Sequence, residues 1–308
     1  MSSPPPEILR ALGVERGDVL AFRLAHGSTF AAVGSLTTAR GRYFVKFERA
    51  ATAVIDGEAA SLAEIRKYAK DLTPTVRAVS DPGAAPAFLV TDYLDLAPLS
   101  AAAGDLGAAV ARLHQASMAA GLPYGLGGVT TCCGPTPQPN PPTDTWLEFF
   151  REHRLQYIFD RIAHSLPSIV DAEWARLRTA VLGRVVPRLL AGLPAANPAY
   201  AAALVHGDLW AGNAACAGIR PVIYDPSSAY ADPEFEFGVL TLFGGFPPAF
   251  FDAYRAVLPP WTPAAEHDDR VALYRLYHLL NHTDIFGGGG YESSARSTMR
   301  SLVAKYAD

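Results

Sequence analysis

The pattern of apolar residues changes near residue 93, and this change constrains the fold more than any other feature of the sequence. Residues 1–92 contain short β-branched and aromatic runs separated by turns, together with a helical stripe that ends near Lys70. Runs of this kind predict strands, whereas most of residues 93–308 carry the apolar spacing of helices. We therefore predict an α+β protein with two lobes. Residues 1–92 form a small antiparallel sheet with one long helix, and residues 93–308 form a larger helical lobe.

Individual elements follow from the same spacing and from the turn residues. In the first lobe we predict strands over residues 19–24, 30–34, 43–47, 75–79 and 87–93, with helices over 7–13 and from Asp56 or Gly57 to about Lys70. In the second lobe we predict helices over 106–120, 146–166, 169–190, 250–257, 270–281 and from 294 onward, with two short strands around a polar loop within 204–224. Five prolines in residues 131–143 predict an irregular segment, because proline donates no backbone hydrogen bond.

The charge balance and the cysteines exclude several classes of protein. The chain has 26 Lys and Arg residues against 30 Asp and Glu residues, a net charge of −4, and so lacks the basic excess of a nucleic-acid-binding surface. Cys132, Cys133 and Cys216 do not make a disulfide framework. The first residues do not read as a secretory signal, and no apolar stretch reaches about 20 residues. We therefore expect a cytoplasmic protein that binds neither nucleic acid nor membrane.

The most informative segment is the polar loop within residues 204–224. It reads His206-Gly207-Asp208-Leu209-Trp210-Ala211-Gly212-Asn213, and Asp225 ends the apolar strand that follows. Phosphoryl transfer needs one carboxylate that takes the proton of the attacking hydroxyl, and a carboxylate and an amide oxygen that hold Mg²⁺ against the phosphates. Asp208 fits the first role, and Asn213 and Asp225 fit the second. Simple turn residues are the alternative, and the position of Asp225 after the strand argues against it.

Lys46 and Glu58 support the same chemistry. Lys46 is one of four lysines in the chain and lies within a predicted strand. Glu58 lies on the apolar stripe of the next helix, where a carboxylate is costly unless it is paired. We therefore predict a Lys46–Glu58 ion pair, which in kinases positions the phosphates of the nucleotide. A surface lysine on an edge strand is the alternative.

Two further features are candidates for ligand contact. The turn Gly27-Ser28-Thr29 precedes the Lys46 strand, and its N–H groups and hydroxyls are candidates for phosphate binding. It does not match the G-x-G-x-x-G pattern, so a plain hairpin is an equal alternative. His206 and Trp210 are candidates for substrate contact, with the indole stacking on a sugar or an amine. Core packing is the alternative for Trp210.

Two pairs of residues have stronger structural than functional interpretations. His278 and His282 have the i, i+4 spacing of H-E-x-x-H zinc sites, but Leu279 occupies the position of the glutamate. Packed or surface histidines are therefore the favoured interpretation. Cys132 and Cys133 are interpreted as buried thiols, with a structural or redox role as the alternative.

The sequence resembles the fructosamine/ketosamine-3-kinase family from about residue 7 to residue 304. Related aminoglycoside and choline kinases share only the His-Gly-Asp segment and the later aspartate. The segments that carry the resemblance are His206–Trp210 with Gly212-Asn213, Ile223–Ser227, Glu234–Glu236, Phe243–Pro247, Thr131–Gly134, His153–Gln156, Phe44–Lys46 and Gly57-Glu58.

This resemblance implies a two-lobed protein-kinase-like fold and ATP-dependent phosphorylation of the C3 hydroxyl of a ketosamine, which is an amine or a protein lysine glycated by a sugar. The 3-phosphate then decomposes and releases the amine, so the implied role is deglycation and protein repair. In this chain Asp208 would be the general base, Asn213 and Asp225 would bind Mg²⁺, and Lys46 with Glu58 would position ATP.

The resemblance also assigns roles to residues that the spacing alone does not. Backbone groups of Asp92, Tyr93 and Leu94 would bind adenine, and Glu236 would brace the catalytic loop through its backbone. The segment from His26 to Phe30 departs from the glycine-rich, often Cys-containing loop of many family members. A thiol switch in that loop is therefore not expected.

Three rival functions remain at this stage. The nearest is a kinase of the aminoglycoside or choline type that acts on another hydroxyl. A pseudokinase that only binds ligands is the second. The presence of all five polar residues of the predicted site argues against it, namely Lys46, Glu58, Asp208, Asn213 and Asp225. A zinc hydrolase built on His278 and His282 is the third.

Overall fold

An antiparallel sheet forms the first part of the chain. The structure is a computed structural model of the full chain, and it describes residues 3–25, 31–50, 52–99 and 102–306. The sheet strands are β1 (Val19–Ala25), β2 (Ala32–Thr38), β3 (Gly41–Glu48), β4 (Val76–Val79) and β5 (Ala87–Asp92). Their order is β1-β2-β3-β5-β4. β2 runs four residues further than predicted, to Thr38, and Gly34 lies within it at a close approach to β1. A Cβ there would lie 2.4 Å from the Arg23 carbonyl oxygen.

Two helices accompany the sheet. α1 (Pro6–Leu12) ends at Gly13, which has a φ of 62° and the left-handed conformation that glycine tolerates. α2 (Ala53–Ala69) begins three residues before the predicted start at Asp56. The cause is Thr52, whose side-chain oxygen accepts a hydrogen bond from the Val54 N–H and so caps the helix.

α2 is anchored to the second part of the chain. Gly57 lies so close to that part that a Cβ would be 2.7 Å from the Thr130 carbonyl oxygen. The Ser61 hydroxyl accepts a hydrogen bond from the Ser228 N–H (3.0 Å). Further hydrogen bonds join the same elements: Tyr230 donates to Glu64 (2.7 Å), and the hydroxyls of Tyr68 and Tyr230 lie 2.9 Å apart. The helix therefore has a fixed position relative to the second part.

Helices dominate the second part, with four short strand pairings among them. The helix predicted over 146–166 runs without a break from Trp146 to Ser165, and the one predicted over 169–190 begins three residues later than predicted, at Ala172, and runs to Leu190. In each of them a π-helical turn, at Arg151–Gln156 or Val181–Val185, joins the α-helical pieces. The helices are α3 (Ala103–Met118), α4 (Trp146–Phe150), α5 (Tyr157–Ser165), α6 (Ala172–Ala180), α7 (Val186–Leu190), α8 (Leu193–Ala196), α9 (Glu236–Phe243), α10 (Pro248–Val257), α11 (His267–Phe286) and α12 (Gly290–Tyr306). The strands are β6 (Leu96–Ala97), β7 (Thr131–Cys133), β8 (Thr136–Gln138), β9 (Ala203–Val205), β10 (Ala214–Ala217), β11 (Arg220–Ile223) and β12 (Ala229–Ala231).

Two predictions for the second part were wrong. Residues 131–143 are not wholly irregular, because β7 and β8 form an antiparallel hairpin with Pro137 opposite Cys132. Alternate pairs of such a ladder exchange no hydrogen bonds, so a proline can occupy one of them. The 204–224 segment holds three strands and not two, since β10 and β11 pair beyond the polar loop.

A large aromatic core organises the second part. Trp146 packs against Phe149 and Phe150, and its indole N–H donates to the Tyr274 hydroxyl (2.9 Å). Ile65, on α2, belongs to the same cluster, whereas the faces of the five-stranded sheet have two smaller clusters of their own. Among the described residues, no helix is both long enough and apolar enough to span a membrane.

His278 is a buried histidine of this core and makes stability depend on pH. Its ring stacks on Phe235, and neither ring nitrogen has a hydrogen-bond partner among the described residues. Burial, together with the nearby His282 and Arg154, lowers its pKa to about 3. An unfolded histidine titrates near pH 6.5, so below that pH the unfolded chain binds a proton that the folded chain does not, and the free energy of unfolding falls.

We therefore expect His278→Phe to remove part of the acid sensitivity. Phenylalanine keeps the stacked ring and cannot bind a proton. Between pH 7 and pH 5 the wild-type chain should lose about 2 kcal/mol more stability than the variant. Urea denaturation at the two pH values measures this difference. Equal losses in both proteins would contradict it.

Candidate active site

A buried glutamate holds the loop that follows β9. The two carboxylate oxygens of Glu236 accept hydrogen bonds from the N–H groups of His206 (2.6 Å) and Gly207 (3.0 Å). His114 lies 3.4 Å from the same carboxylate. Burial opposes the charge of Glu236, but the nearby His114 ring and the loop contacts outweigh it and hold the pKa of Glu236 below its ordinary value. The loop is thus bound through its backbone to a charged, fixed carboxylate.

His206 lies inside this loop and is fully buried. Its Nε2 donates to the Tyr224 carbonyl (3.0 Å), and its Nδ1 accepts from the Asp208 N–H (3.3 Å). Burial lowers the pKa of the ring, so it stays neutral. The structure therefore does not support the predicted contact between His206 and substrate. Both ring nitrogens are used to join the loop to the segment after β11.

Asp208 is placed at the wall of a cavity of about 190 Å³. The Asn213 side chain donates to its backbone carbonyl (2.9 Å) and to its carboxylate (3.3 Å), and the Cys133 thiol lies 3.8 Å from the other carboxylate oxygen. Burial, then the charges of Asp225 and Glu236, raise the pKa of Asp208 to about 8. A cation bound nearby would favour the ionised carboxylate. We call this space the Asp208 cavity.

Asp225 lies two residues after the end of β11 and has a φ of 55°, and no other non-glycine residue among those described has a positive φ. A conformation of this kind costs about 1–3 kcal/mol and is concentrated at functional sites. The Asp225 side chain is 49% exposed, and its carboxylate lies 3.4 Å from the Lys46 ammonium. The strained backbone thus keeps a carboxylate at the surface of the cleft.

The predicted Lys46–Glu58 ion pair is present. Lys46 on β3 and Glu58 on α2 are nearly buried, and their charged atoms lie 2.5 Å apart. Burial opposes the charge of the ammonium, but the carboxylates of Glu58 and Asp225 outweigh it and raise the pKa of Lys46. The Lys46 ammonium is therefore charged, and it is held by Glu58 on α2 and by Asp225.

A cavity of about 410 Å³ opens beside this pair, and we call it the Lys46 cavity. Asp92, Tyr93 and Leu94 line its far side, with Glu58 and Asp225 near the pair. The N–H groups of Asp92 and Tyr93 donate to backbone carbonyls within the protein (2.9 and 3.2 Å). The Leu94 N–H has no such partner among the described residues, so it is the donor of this segment that remains for a ligand. Gly27, Ser28 and Thr29, the predicted phosphate turn, lie outside the described residues.

Trp210 borders the Asp208 cavity and is 38% exposed. Its ring centroid lies 5.6 Å from that of Phe243, and a Cβ on Gly212 would be 2.2 Å from the indole. The absence of a side chain at Gly212 therefore lets the indole lie flat across the loop. This places an aromatic face beside Asp208, as an expected substrate contact requires.

Three contributors to this site were given no role in it from the sequence. Phe243 and Asn281 line the Asp208 cavity, and Gly57 allows α2 to approach β7. Asn281 precedes His282, which drew attention only as half of an i, i+4 pair. A polar residue on the buried side of α11 was the available signal.

Asn213 and Asp225 fit Mg²⁺ by their chemistry. Mg²⁺ is usually held by one or two protein oxygens together with phosphates and water, not by an all-protein cage. The amide nitrogen of Asn213 is used by Asp208, which leaves its oxygen for a cation. Within the described ranges no group of three or more His, Cys, Asp or Glu side chains could hold a metal alone. The two residues therefore suit a metal that arrives with a nucleotide.

An antiparallel sheet with a lysine–glutamate pair, a helical second part and a His-Gly-Asp loop defines the class of protein-kinase-like phosphotransferases. The chain belongs to the fructosamine kinase family, since the sequence model of that family matches residues 15–305.

Curated relatives cover most of the chain. A ketosamine-3-kinase from Mus musculus is 35% identical over an alignment of 292 residues, and the match covers 87% of this chain and 90% of the mouse protein. A chloroplastic protein-ribulosamine 3-kinase from Arabidopsis thaliana is 30% identical over 263 residues, 84% of this chain and 76% of the plant protein.

Solved structures agree with the fold. A candidate fructosamine-3-kinase from Thermobifida fusca YX-ER1 superposes with a TM-score of 0.82 at 26% identity and covers 97% of this chain and 98% of its own. An aminoglycoside phosphotransferase in a ternary complex with ADP and hygromycin B has a TM-score of 0.62 at 14% identity, with 98% of each chain covered. The second likeness shows the fold alone.

Proposed function

We propose that this chain transfers the γ-phosphoryl group of ATP to the C3 hydroxyl of a ketosamine, carried by a free amine or by a protein lysine. The observation that carries the proposal is the Lys46 ammonium, which contacts both Glu58 and Asp225. Asp225 lines the Lys46 cavity, and its charge contributes to the raised pKa of Asp208, so Asp225 links the proposed phosphate-positioning group to the proposed base. The named activities of the mouse and plant relatives support the ketosamine as acceptor.

The residues divide the work as follows. The Lys46 cavity takes the adenosine, with the Leu94 N–H and nearby carbonyls facing the base. Lys46 holds the phosphates, and Asn213 with Asp225 would hold Mg²⁺, which neutralises phosphate charge when bound. Asp208 accepts the proton of the sugar hydroxyl as that oxygen attacks phosphorus, and Trp210 lies against the acceptor.

A turnover screen tests the proposal. Purified protein with Mg·ATP is offered ribulosamine, erythrulosamine and fructosamine derivatives, beside an aminoglycoside and choline at the same concentrations. We expect phosphate transfer to the ketosamines and little to the other alcohols. Preferred turnover of the aminoglycoside or choline would replace the ketosamine assignment, and no turnover of any alcohol would overturn the kinase assignment.

We expect Lys46→Met to weaken ATP use by about tenfold or more, because one charge-assisted contact to phosphate is worth about 1.5–3 kcal/mol. The variant leaves Glu58 buried without its partner, so Lys46→Met with Glu58→Gln is made beside it to remove the unpaired charge. Lys67→Met is the matched control, because Lys67 is 61% exposed and its one ion pair among the described residues is with Glu64 on the same helix.

Binding of an ATP analogue, by calorimetry, gives the measurement, and thermal unfolding reports the fold. Weak binding in both Lys46 variants, with normal binding in the Lys67 variant, is the expected pattern. Normal binding in the double variant would remove Lys46 from the nucleotide site.

A further inference from the structure

Asn281 carries a buried carbonyl oxygen without a partner. The residue lies on α11, is fully buried, and lines the Asp208 cavity. Its Nδ2 donates to the Cys133 backbone carbonyl (3.3 Å). Because a carbonyl only accepts, this bond fixes which side-chain atom is the nitrogen. The remaining atom, Oδ1, has no hydrogen-bond partner in the described part of the chain.

An oxygen in this position is costly without a ligand. A buried acceptor that lacks a donor costs about 1–3 kcal/mol, and buried polar atoms of native proteins are paired in the large majority of cases. Since Asn281 borders a cavity and not closed core, a bound molecule can supply the donor. The Asp208 cavity therefore suits a ligand that places a hydrogen-bond donor at Asn281 Oδ1.

His282 adds a second acceptor to the same cavity. Its Nδ1 donates to the His278 carbonyl (2.7 Å), so the ring lone pair is on Nε2. Burial lowers the pKa of His282, which keeps the ring neutral. With the carboxylate of Asp208, the side chains around this cavity present acceptors. The residues described as lining it include no lysine or arginine.

The aromatic wall of the Asp208 cavity also favours a positively charged ligand. Trp210 and Phe243 are 38% and 41% exposed and stand side by side at the cavity. Aromatic faces attract cations through their quadrupole. An acceptor-rich cavity with such a wall suits a positively charged donor, and among the groups of a ketosamine only the protonated secondary amine is one.

We propose that Asn281 Oδ1 accepts a hydrogen bond from the protonated secondary amine of the ketosamine, and so selects aminated ketoses over neutral sugars. This rests on the proposed function for its substrate class. Asp208 must accept the proton of the attacking hydroxyl, so it is not the partner of the amine. Asn281, on α11, binds the nitrogen, so Asp208 remains free to accept the proton of the hydroxyl.

A matched pair of ligands tests the role of the nitrogen. The first is a fructosamine derivative, and the second is the same molecule with an ether oxygen in place of the NH group. Binding of each is measured by calorimetry with Mg²⁺ and a non-transferable ATP analogue. The wild type should bind the amine about 10- to 100-fold more tightly, as expected for a hydrogen bond to a charged group.

Variants of Asn281 locate that preference. Asn281→Leu removes the oxygen and Asn281→Ser withdraws it, so both should reduce the preference to threefold or less. Asn281→Asp keeps an acceptor and should retain it. Thr283→Val, on the same helix, is the control, because the Thr283 hydroxyl donates to the Leu279 carbonyl and has no other partner in the part of the chain that the structure describes. Binding of the ATP analogue reports the fold of each variant.

Equal binding of amine and ether by the wild type would overturn the proposal, as would a full preference in folded Asn281→Leu or Asn281→Ser. If the wild type prefers the amine but phosphorylates no ketosamine, the proposed function fails and the role of Asn281 stands. If ketosamines are phosphorylated but the ether binds as well, the function stands and the role of Asn281 fails.

Discussion

Asp208→Asn should reduce turnover by about 10²–10⁴ and leave ATP binding unchanged. The amide has the shape of the carboxylate but cannot accept a proton from the sugar hydroxyl, and a loss of this size is typical for removal of a general base. Asp208 lies in the Asp208 cavity, separate from the Lys46 pair, so the nucleotide should bind as before.

The fold of this variant should persist. Burial already disfavours the charged carboxylate, so a neutral group of the same shape adds no new cost. Asp71→Asn is the matched control, because the Asp71 side chain is 75% exposed. Single-turnover phosphate transfer, with ATP affinity measured separately, distinguishes a chemical from a binding defect. Near-wild-type transfer by Asp208→Asn would remove Asp208 from the role of base.

Gly207→Ala should have the largest effect on stability of any single methyl addition in the site. Gly207 has a φ of 82°, and a Cβ there would lie 2.1 Å from the Ser227 carbonyl oxygen. The left-handed conformation costs an alanine about 1–2 kcal/mol, and the contact with rigid backbone adds to it. Relief of the contact requires the loop to move away from Glu236, which carries Asp208 with it. We expect a loss of at least about 3 kcal/mol and a large loss of turnover.

Gly218→Ala separates the two causes. Gly218 has a φ of 66°, but a Cβ there would meet nothing within 4 Å. It therefore has the conformational cost without the contact and should lose only about 1 kcal/mol. Denaturant unfolding of both variants gives the comparison. Equal losses would show that the close approach to Ser227 is unimportant.

The sequence predicted the Lys46–Glu58 contact between β3 and α2 better than it predicted the boundaries of the elements. Lys46 and Glu58 were joined correctly because a buried carboxylate needs a partner and the chain has few lysines. Their roles, and the lobe boundary at residue 92, stay predictions. The hairpin of β7 and β8 was missed because proline content was read without regard to which side of a ladder each proline occupies. The early start of α2 was missed because the Thr52 cap was not considered.

The site residues also show that local sequence does not reveal contacts between distant parts of the chain. Gly207 was named only as a member of the segment from His206 to Asn213, since nothing in the sequence reveals how near the Ser227 carbonyl lies. His206 was a candidate for substrate contact, whereas the fold buries it and bonds its ring to the Tyr224 carbonyl. Asn281 has no local motif at all. Its importance depends on a long-range contact with Cys133, which spacing along the chain cannot supply.

The anchoring of α2 has a consequence for how such a protein is controlled. The helix carries Glu58, and swinging it away from Lys46 would break the Ser61–Ser228 and Glu64–Tyr230 hydrogen bonds and open the tight contact at Gly57. In a protein held in this way, a displacement of α2 that separates Glu58 from Lys46 costs the free energy of these contacts. Such a protein would be ready to act once folded, and its output would follow how much of it the cell makes and how much substrate arrives.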